Sequence, residues 1–240
     1  MPAGLDGNLD PVVTPEREGL LEAVTDVVCR TRQGRSLVAV DGRSGAGKST
    51  FADELAERLG RRDVGVVRST TDSFHRPRAE RLARGVTSPE GFYLDSYQLD
   101  VIVGDLLEPF ARGRSRVRVA AFDEPTDSPV NESVVADPDA VLVFDGLFLH
   151  RPELNAYWTT TIFLQADQRC DQAWLDYLLG DLPANAEQQA AELDARLRRA
   201  RWPRYRQGWA AYTDAVRPAA RANLIIDNND LDKPRLLASR

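Results

Sequence analysis

The stretch Asp41–Thr50, DGRSGAGKST, decides how this chain is read. Gly42-x-x-x-x-Gly47-Lys48-Ser49 fills every fixed position of the phosphate-binding loop pattern. Glycines let a backbone curl around an anion and turn successive N–H groups toward it. A helix that follows directly adds the positive end of its dipole. A lysine at the Lys48 position reaches the β- and γ-phosphates, and a hydroxyl at the Ser49 position ligates Mg²⁺. The flanks agree. SLVAV (36–40) is a β-rich run, and in FADELAERLG (51–60) Phe51, Leu55 and Leu59 recur on one helical face. The pattern places Gly42, Ser44, Gly45, Ala46, Gly47, Lys48, Ser49 and Thr50 around a bound triphosphate.

The same alternation continues outward. Thr14-Pro15 reads as a helix start, with Leu20, Leu21, Val24, Val27 and Val28 on one face and Gly34 as the stop. VGVVRS (64–69), VLVF (141–144), TTTIFL (159–164) and a final NLIID (223–227) read as buried strands. RVRVAAF (116–122) alternates like an edge strand or hairpin arm. Residues 101–111, 168–179 and 186–215 read as helices. Apolar strands alternating with helices predict an α/β fold, a parallel sheet covered on both faces as in P-loop NTPases, with a helical lid. Residues 1–13 read as a flexible arm and 14–240 as one domain, with a substrate-binding insertion at about 73–125 and the lid at about 181–210.

Composition narrows the class. The 240 residues carry 31 basic against 37 acidic side chains, a net charge of -6. That balance disfavours gripping a nucleic-acid backbone. No apolar run reaches the roughly 18 residues of a membrane span, and MPAGLDGNLD lacks the form of a secretory signal. Cys29 and Cys170 form no C-x-x-C pair, so a reduced, cytoplasmic protein is expected, with homo-oligomerisation left open. With only two histidines, His75 and His150, a zinc site is not expected. Only two of the basic residues are lysines, Lys48 and Lys233, and one of them falls at the required loop position.

Asp145 ends the VLVF run, as the acid of a Walker B strand does, and with Ser49 forms the expected Mg²⁺ site. No N-K-x-D string marks a guanine site, and the large motor and transporter ATPases need domains that this length cannot hold. Asp72, in TDSFHR (71–76), follows the second strand, where open α/β sheets bind ligands. A carboxylate there can accept the proton of an attacking hydroxyl.

Together, the loop 42–52, Asp72-Ser-Phe-His75, the strand ending Asp145-Gly146 and the Arg/Tyr-rich region 196–206 resemble the uridine kinase and phosphoribulokinase group. SPEGFYLDSY (88–97), VFDGLFLHRPEL (143–154) and RYRQGWAAYTDAVRPAARANLIIDNND (204–230) are similar to its bacterial uridine-kinase-like branch. The resemblance covers roughly 36–235 and implies an ATP- and Mg²⁺-dependent small-molecule kinase acting on a hydroxyl, a nucleoside 5′-OH foremost. Kinases for other alcohols, and a nucleotide-binding regulatory ATPase, are the alternatives. The resemblance makes Asp72 the general base and places Phe74, His75, Tyr93, Asp95 and Arg206 near the acceptor. It puts Arg199 and Arg201 among the catalytic lid arginines. The chain departs from the group's usual pattern at Asp145, where uridine kinases carry Glu, and at Phe92-Tyr93-Leu94-Asp95, where they carry a Phe-Asp-His-Pro core. It departs again in the lid, where no Arg-Asp pair occurs.

Overall fold

β1 (Ser36–Gly42) is buried at all seven positions, as a strand covered on both faces must be. In the computed structural model, which describes residues 14–167 and 203–240, it lies at the middle of a six-stranded sheet. The other strands are β2 (Val66–Thr70), β5 (Val141–Gly146), β6 (Thr160–Gln165), β7 (Leu224–Asp227) and β8 (Arg235–Ser239), in the order β2-β5-β1-β6-β7-β8. All neighbours run parallel except β7 and β8. The expected final strand at 223–227 is therefore not last. β8 carries only one residue that is not exposed, so it lacks the buried apolar run that marks the others. β3 (Arg116–Asp123) and β4 (Ser128–Val135) form a separate antiparallel hairpin.

Helices cover both faces. α1 (Pro15–Thr31) begins at Thr14, whose hydroxyl accepts from the Arg17 N–H at 3.3 Å, with Pro15 in the first turn. Its Leu20, Leu21, Val24 and Val28 pack with Phe51, Ala52, Leu55 and Leu59 of α2 (Lys48–Gly60) against Val38, Val40 and Ile162. The opposite face buries Leu37, Ala39, Leu142 and Phe144 under an aromatic-rich layer. That layer is built from α4 (Pro89–Asp95), with the unburied α3 (Arg78–Arg81) against it, α5 (helical over 99–111, with a π-turn at Ile102–Leu107), α6 (Pro152–Asn155) and α7 (helical over 203–216).

This is the predicted α/β P-loop architecture. Parallel register brings Val40 of β1, Thr70 of β2 and Asp145 of β5 level with one another. The phosphate loop, Asp72 and Asp145 therefore emerge along one edge of the sheet. No helix among the described residues is long and apolar enough to cross a membrane. The arm at 1–13, the expected helix 168–179 and the lid as far as 202 lie outside the described residues.

Candidate active site

The chain leaves β1 at Gly42 and curls before α2 starts. Gly45 and Gly47 sit at φ of 75° and 76°, backbone that glycine alone adopts without strain. The loop is braced from behind, where Asn228, fully buried, donates its side-chain N–H to the Ala46 carbonyl at 2.7 Å. Ser44, Gly45, Gly47, Lys48, Ser49 and Thr50 line a cavity of about 630 Å³. Gly42 and Ala46 shape the loop without lining the cavity. A Cβ on Gly42 would meet the Leu164 carbonyl oxygen at 2.8 Å, and Ala46 is wholly buried.

Lys48 Nζ donates to the Arg43 carbonyl at 2.9 Å. Burial lowers its pKa, and Asp72, Asp145 and Asp41 oppose that shift. Three carboxylates therefore counter part of the cost of burying the ammonium. Ser49 Oγ donates to Asp145 Oδ2 at 2.8 Å. The other oxygen, Asp145 Oδ1, accepts from Arg68 Nη2 at 2.9 Å, and Arg68 also reaches Asp53 and the Val143 carbonyl. Nothing singled out Arg68 in the sequence, where it reads as one more residue of a strand. Ser49 and Asp145 present hard oxygen donors side by side, the set that suits Mg²⁺. Among the described residues no cluster of three or more His, Cys, Asp or Glu side chains is placed to hold a metal alone.

Opposite the loop, Thr70 caps a 3₁₀ turn, Thr71–Phe74, by accepting from the Asp72 N–H at 3.3 Å. The segment is clamped by neighbouring residues. Gln98 N–H donates to Phe74 O at 2.8 Å, Gln98 Nε2 donates to His75 O at 2.7 Å, and Arg76 N–H donates to Ser96 O at 2.9 Å. Asp72 is thereby held at the cavity wall while its own side chain stays exposed. His75 Nδ1 donates to the Asp72 carbonyl at 3.1 Å, and its ring lies 4.9 Å from that of Tyr97. Burial lowers the His75 pKa, against the pull of Asp72. Burial, with Asp72 second, lifts the Tyr97 phenol well above its ordinary value.

The structure brings Lys48, Ser49, Asp72, His75 and Asp145 to one cavity, and leaves other expected residues outside it. Phe74 is fully buried, facing Phe144 at 6.5 Å. It serves the core because the 3₁₀ turn points it under the sheet while Asp72 points out. Tyr93 packs its ring on Phe148 at 5.1 Å beneath the Arg151 guanidinium and does not line the cavity. Asp95 is tied to Arg84 Nε at 2.8 Å. Arg206 lines a small adjoining cleft with Arg43, Ser44 and Trp209. Arg199 and Arg201 lie outside the described residues. In place of these, the cavity is lined further by Arg78, Arg81, Tyr97, Glu124, Arg204 and Tyr205. The arginines belong to segments already conspicuous for arginine. Glu124 gave no signal, because only the β3–β4 turn brings it there.

With this geometry in view, the family can be stated. Residues 37–175 match the model of the Phosphoribulokinase / Uridine kinase family. The chain belongs to this family. A curated relative, a uridine kinase from Leuconostoc citreum, is 25% identical over 118 residues, which are 47% of this chain and 53% of the relative. The matched region thus spans about half the length of that relative. A solved structure described as a possible uridine kinase from Bacillus stearothermophilus superposes with a TM-score of 0.65 at 18% identity, covering 86% of this chain and 98% of that one. A D-glycerate 3-kinase from Cryptococcus neoformans var. grubii gives 0.50 at 10% identity, covering 79% and 89%. At such identities the structural likeness speaks for the shared fold of the family.

Proposed function

We propose that this member of the family is a cytoplasmic, ATP- and Mg²⁺-dependent kinase that phosphorylates the hydroxyl of a small molecule, a nucleoside 5′-OH foremost. One observation carries the reading: Lys48 and Asp72 face a single cavity, with the Ser49–Asp145 pair in the same wall system. In this scheme the loop amides and Lys48 hold the β- and γ-phosphates. Mg²⁺, held through Ser49 and Asp145, supplies charge neutralisation for the transferring group. Asp72 accepts the acceptor's hydroxyl proton as the new O–P bond forms and the bond between the γ-phosphorus and the β-phosphate oxygen breaks, leaving ADP. Arg199 and Arg201, from the lid, complete the charge stabilisation and exclude water. His75 and Tyr97, whose rings are tilted by 37° to each other, line the cavity with Asp72 and give a nucleobase aromatic side chains to pack against.

A second reading has its own support. Arg78, Arg81 and Arg204 line the same cavity, with Arg81 paired to Glu124 at 3.0 Å. Guanidinium groups in that position suit an alcohol bearing a carboxylate or phosphate. The test is a panel of nucleosides, sugars and anionic alcohols incubated with Mg·ATP and read by mass spectrometry. A nucleoside monophosphate is the expected product. A phosphorylated acid with no nucleotide product would favour the second reading. ATP hydrolysis with no phosphorylated acceptor would overturn both and leave a regulatory ATPase.

A further inference from the structure

Asp41, the residue before the loop glycine, is a carboxylate with no exposed surface. It is no part of the cavity lining, and a buried charge is costly unless it is fully partnered. Its partners come from three separate elements. Oδ1 accepts from the Gly42 N–H at 2.8 Å, at the start of the phosphate loop. Oδ2 accepts from His150 Nδ1 at 2.9 Å, in the segment that follows the Asp145 strand, and from the Tyr212 hydroxyl of α7. The Tyr212 oxygen also accepts from the His150 backbone N–H at 3.0 Å. His150 is itself buried, and its Nε2 has no partner among the described residues. Asp41 is therefore what fixes the ring.

The far ends of this network all reach the proposed site. α7 carries Tyr212 on the same face as Arg204, two turns earlier, and Arg204 and Tyr205 line the cavity. The loop after Asp145 carries Gly146 and Leu147, which line it too. Asp41 itself is pinned by sheet register to Gly146 on one side and Phe163 on the other, so it is the fixed member.

We infer that Asp41, His150 and Tyr212 form a buried latch that seats the arginine-bearing helix α7 against the phosphate loop, so that occupancy of the loop is felt in the helix. These are positioning residues: none of them touches the cavity, and the latch acts through Gly42 and Arg204. The inference rests on nucleotide binding at 42–50 and adds a mechanical coupling to it. A network enclosed at low dielectric suits such a role, because losing one member leaves the others unsatisfied.

The test is amide hydrogen exchange of the full chain with and without Mg·ATP. In the wild type, Mg·ATP should slow exchange both in the loop 43–50 and in 203–216. In Tyr212→Phe the loop should remain protected while the added protection of 203–216 disappears, and turnover should fall about tenfold with little change in the KM for ATP. His150→Gln, which removes the ring donor to Asp41 and leaves that carboxylate near Lys48 in place, should give the same separation and stands in should Tyr212→Phe fail to fold. Equal protection of the helix in wild type and variants overturns the latch, as does loss of thermal stability with turnover unchanged. Protection of neither segment in the wild type overturns the nucleotide reading itself.

Discussion

A single added methyl group at Gly146 gives the sharpest structural test of how Asp72 is held. A Cβ built there would lie 2.2 Å from Thr71 Oγ1, 2.5 Å from Thr71 Cγ2 and 2.8 Å from Thr71 Cβ. Ordinary contact begins about 1 Å further out. Thr71 cannot swing aside, because it is β-branched, wholly buried and inside the 3₁₀ turn. The strain must move the turn or the end of β5, at about 1–3 kcal/mol for overpacking of this kind. The displaced residue is the immediate neighbour of Asp72. A shift of about 1 Å in a reacting group costs on the order of 10²-fold in rate. Gly146→Ala should therefore unfold at lower denaturant and lose about a hundredfold in kcat/KM. Adding Thr71→Ala removes the two closest contacts and leaves the third, so it should restore part of both. The assays are a denaturant midpoint and steady-state phosphoryl transfer on the same preparations. Wild-type stability together with kcat/KM within twofold would refute the close packing of these two loops. A loss that Thr71→Ala does nothing to relieve would refute its assignment to Thr71.

Other expectations follow from single groups. Lys48→Ala should remove nearly all phosphoryl transfer while circular dichroism shows the fold retained; full activity would refute the loop assignment. Ser49→Ala should raise the Mg²⁺ concentration needed for half-maximal turnover, and chelation should abolish turnover in both proteins; an unchanged requirement would remove Ser49 from the metal site. His75 is held below its ordinary pKa of 6.5 by burial, so the unfolded chain takes up that proton first as pH falls. Its stabilising contribution is complete above about pH 6.5 and is lost as the pH falls toward the folded value. Denaturant midpoints measured from pH 7 to pH 5 should accordingly fall less in His75→Gln than in the wild type, and parallel curves would refute the burial argument.

Much of the fold was legible because its signals are local. The loop, with glycines at fixed spacing before an apolar helix face, and the short β-rich runs of β1, β5 and β6 read directly as elements. β8 was not legible, since an exposed edge strand has no buried face to leave a pattern. Within the site, Lys48, Ser49 and Asp145 follow from motif and strand ends. Asp72 was placed by its position after β2, and His75 by the resemblance to the kinase group. The aromatic and acidic residues nearby were not separable in the same way. Phe74 and Tyr93 turn inward, and Asp95 turns to Arg84, through the 3₁₀ turn and the short α4, whose directions a one-dimensional pattern does not carry. Asp41 acts through His150 and Tyr212, 109 and 171 residues away, and Arg68 through Asp145, 77 residues away on the neighbouring strand. Such pairings exist only once the sheet has formed.

The most direct test of the central claim is a single-turnover experiment with Asp72→Asn, run beside an equilibrium titration of the same variant with Mg·ATP. The account predicts saturable Mg·ATP binding at wild-type affinity, with phosphoryl transfer to the acceptor slowed by about 10²–10⁴. Transfer at the wild-type rate would contradict it, as would a variant whose entire defect lies in nucleotide binding.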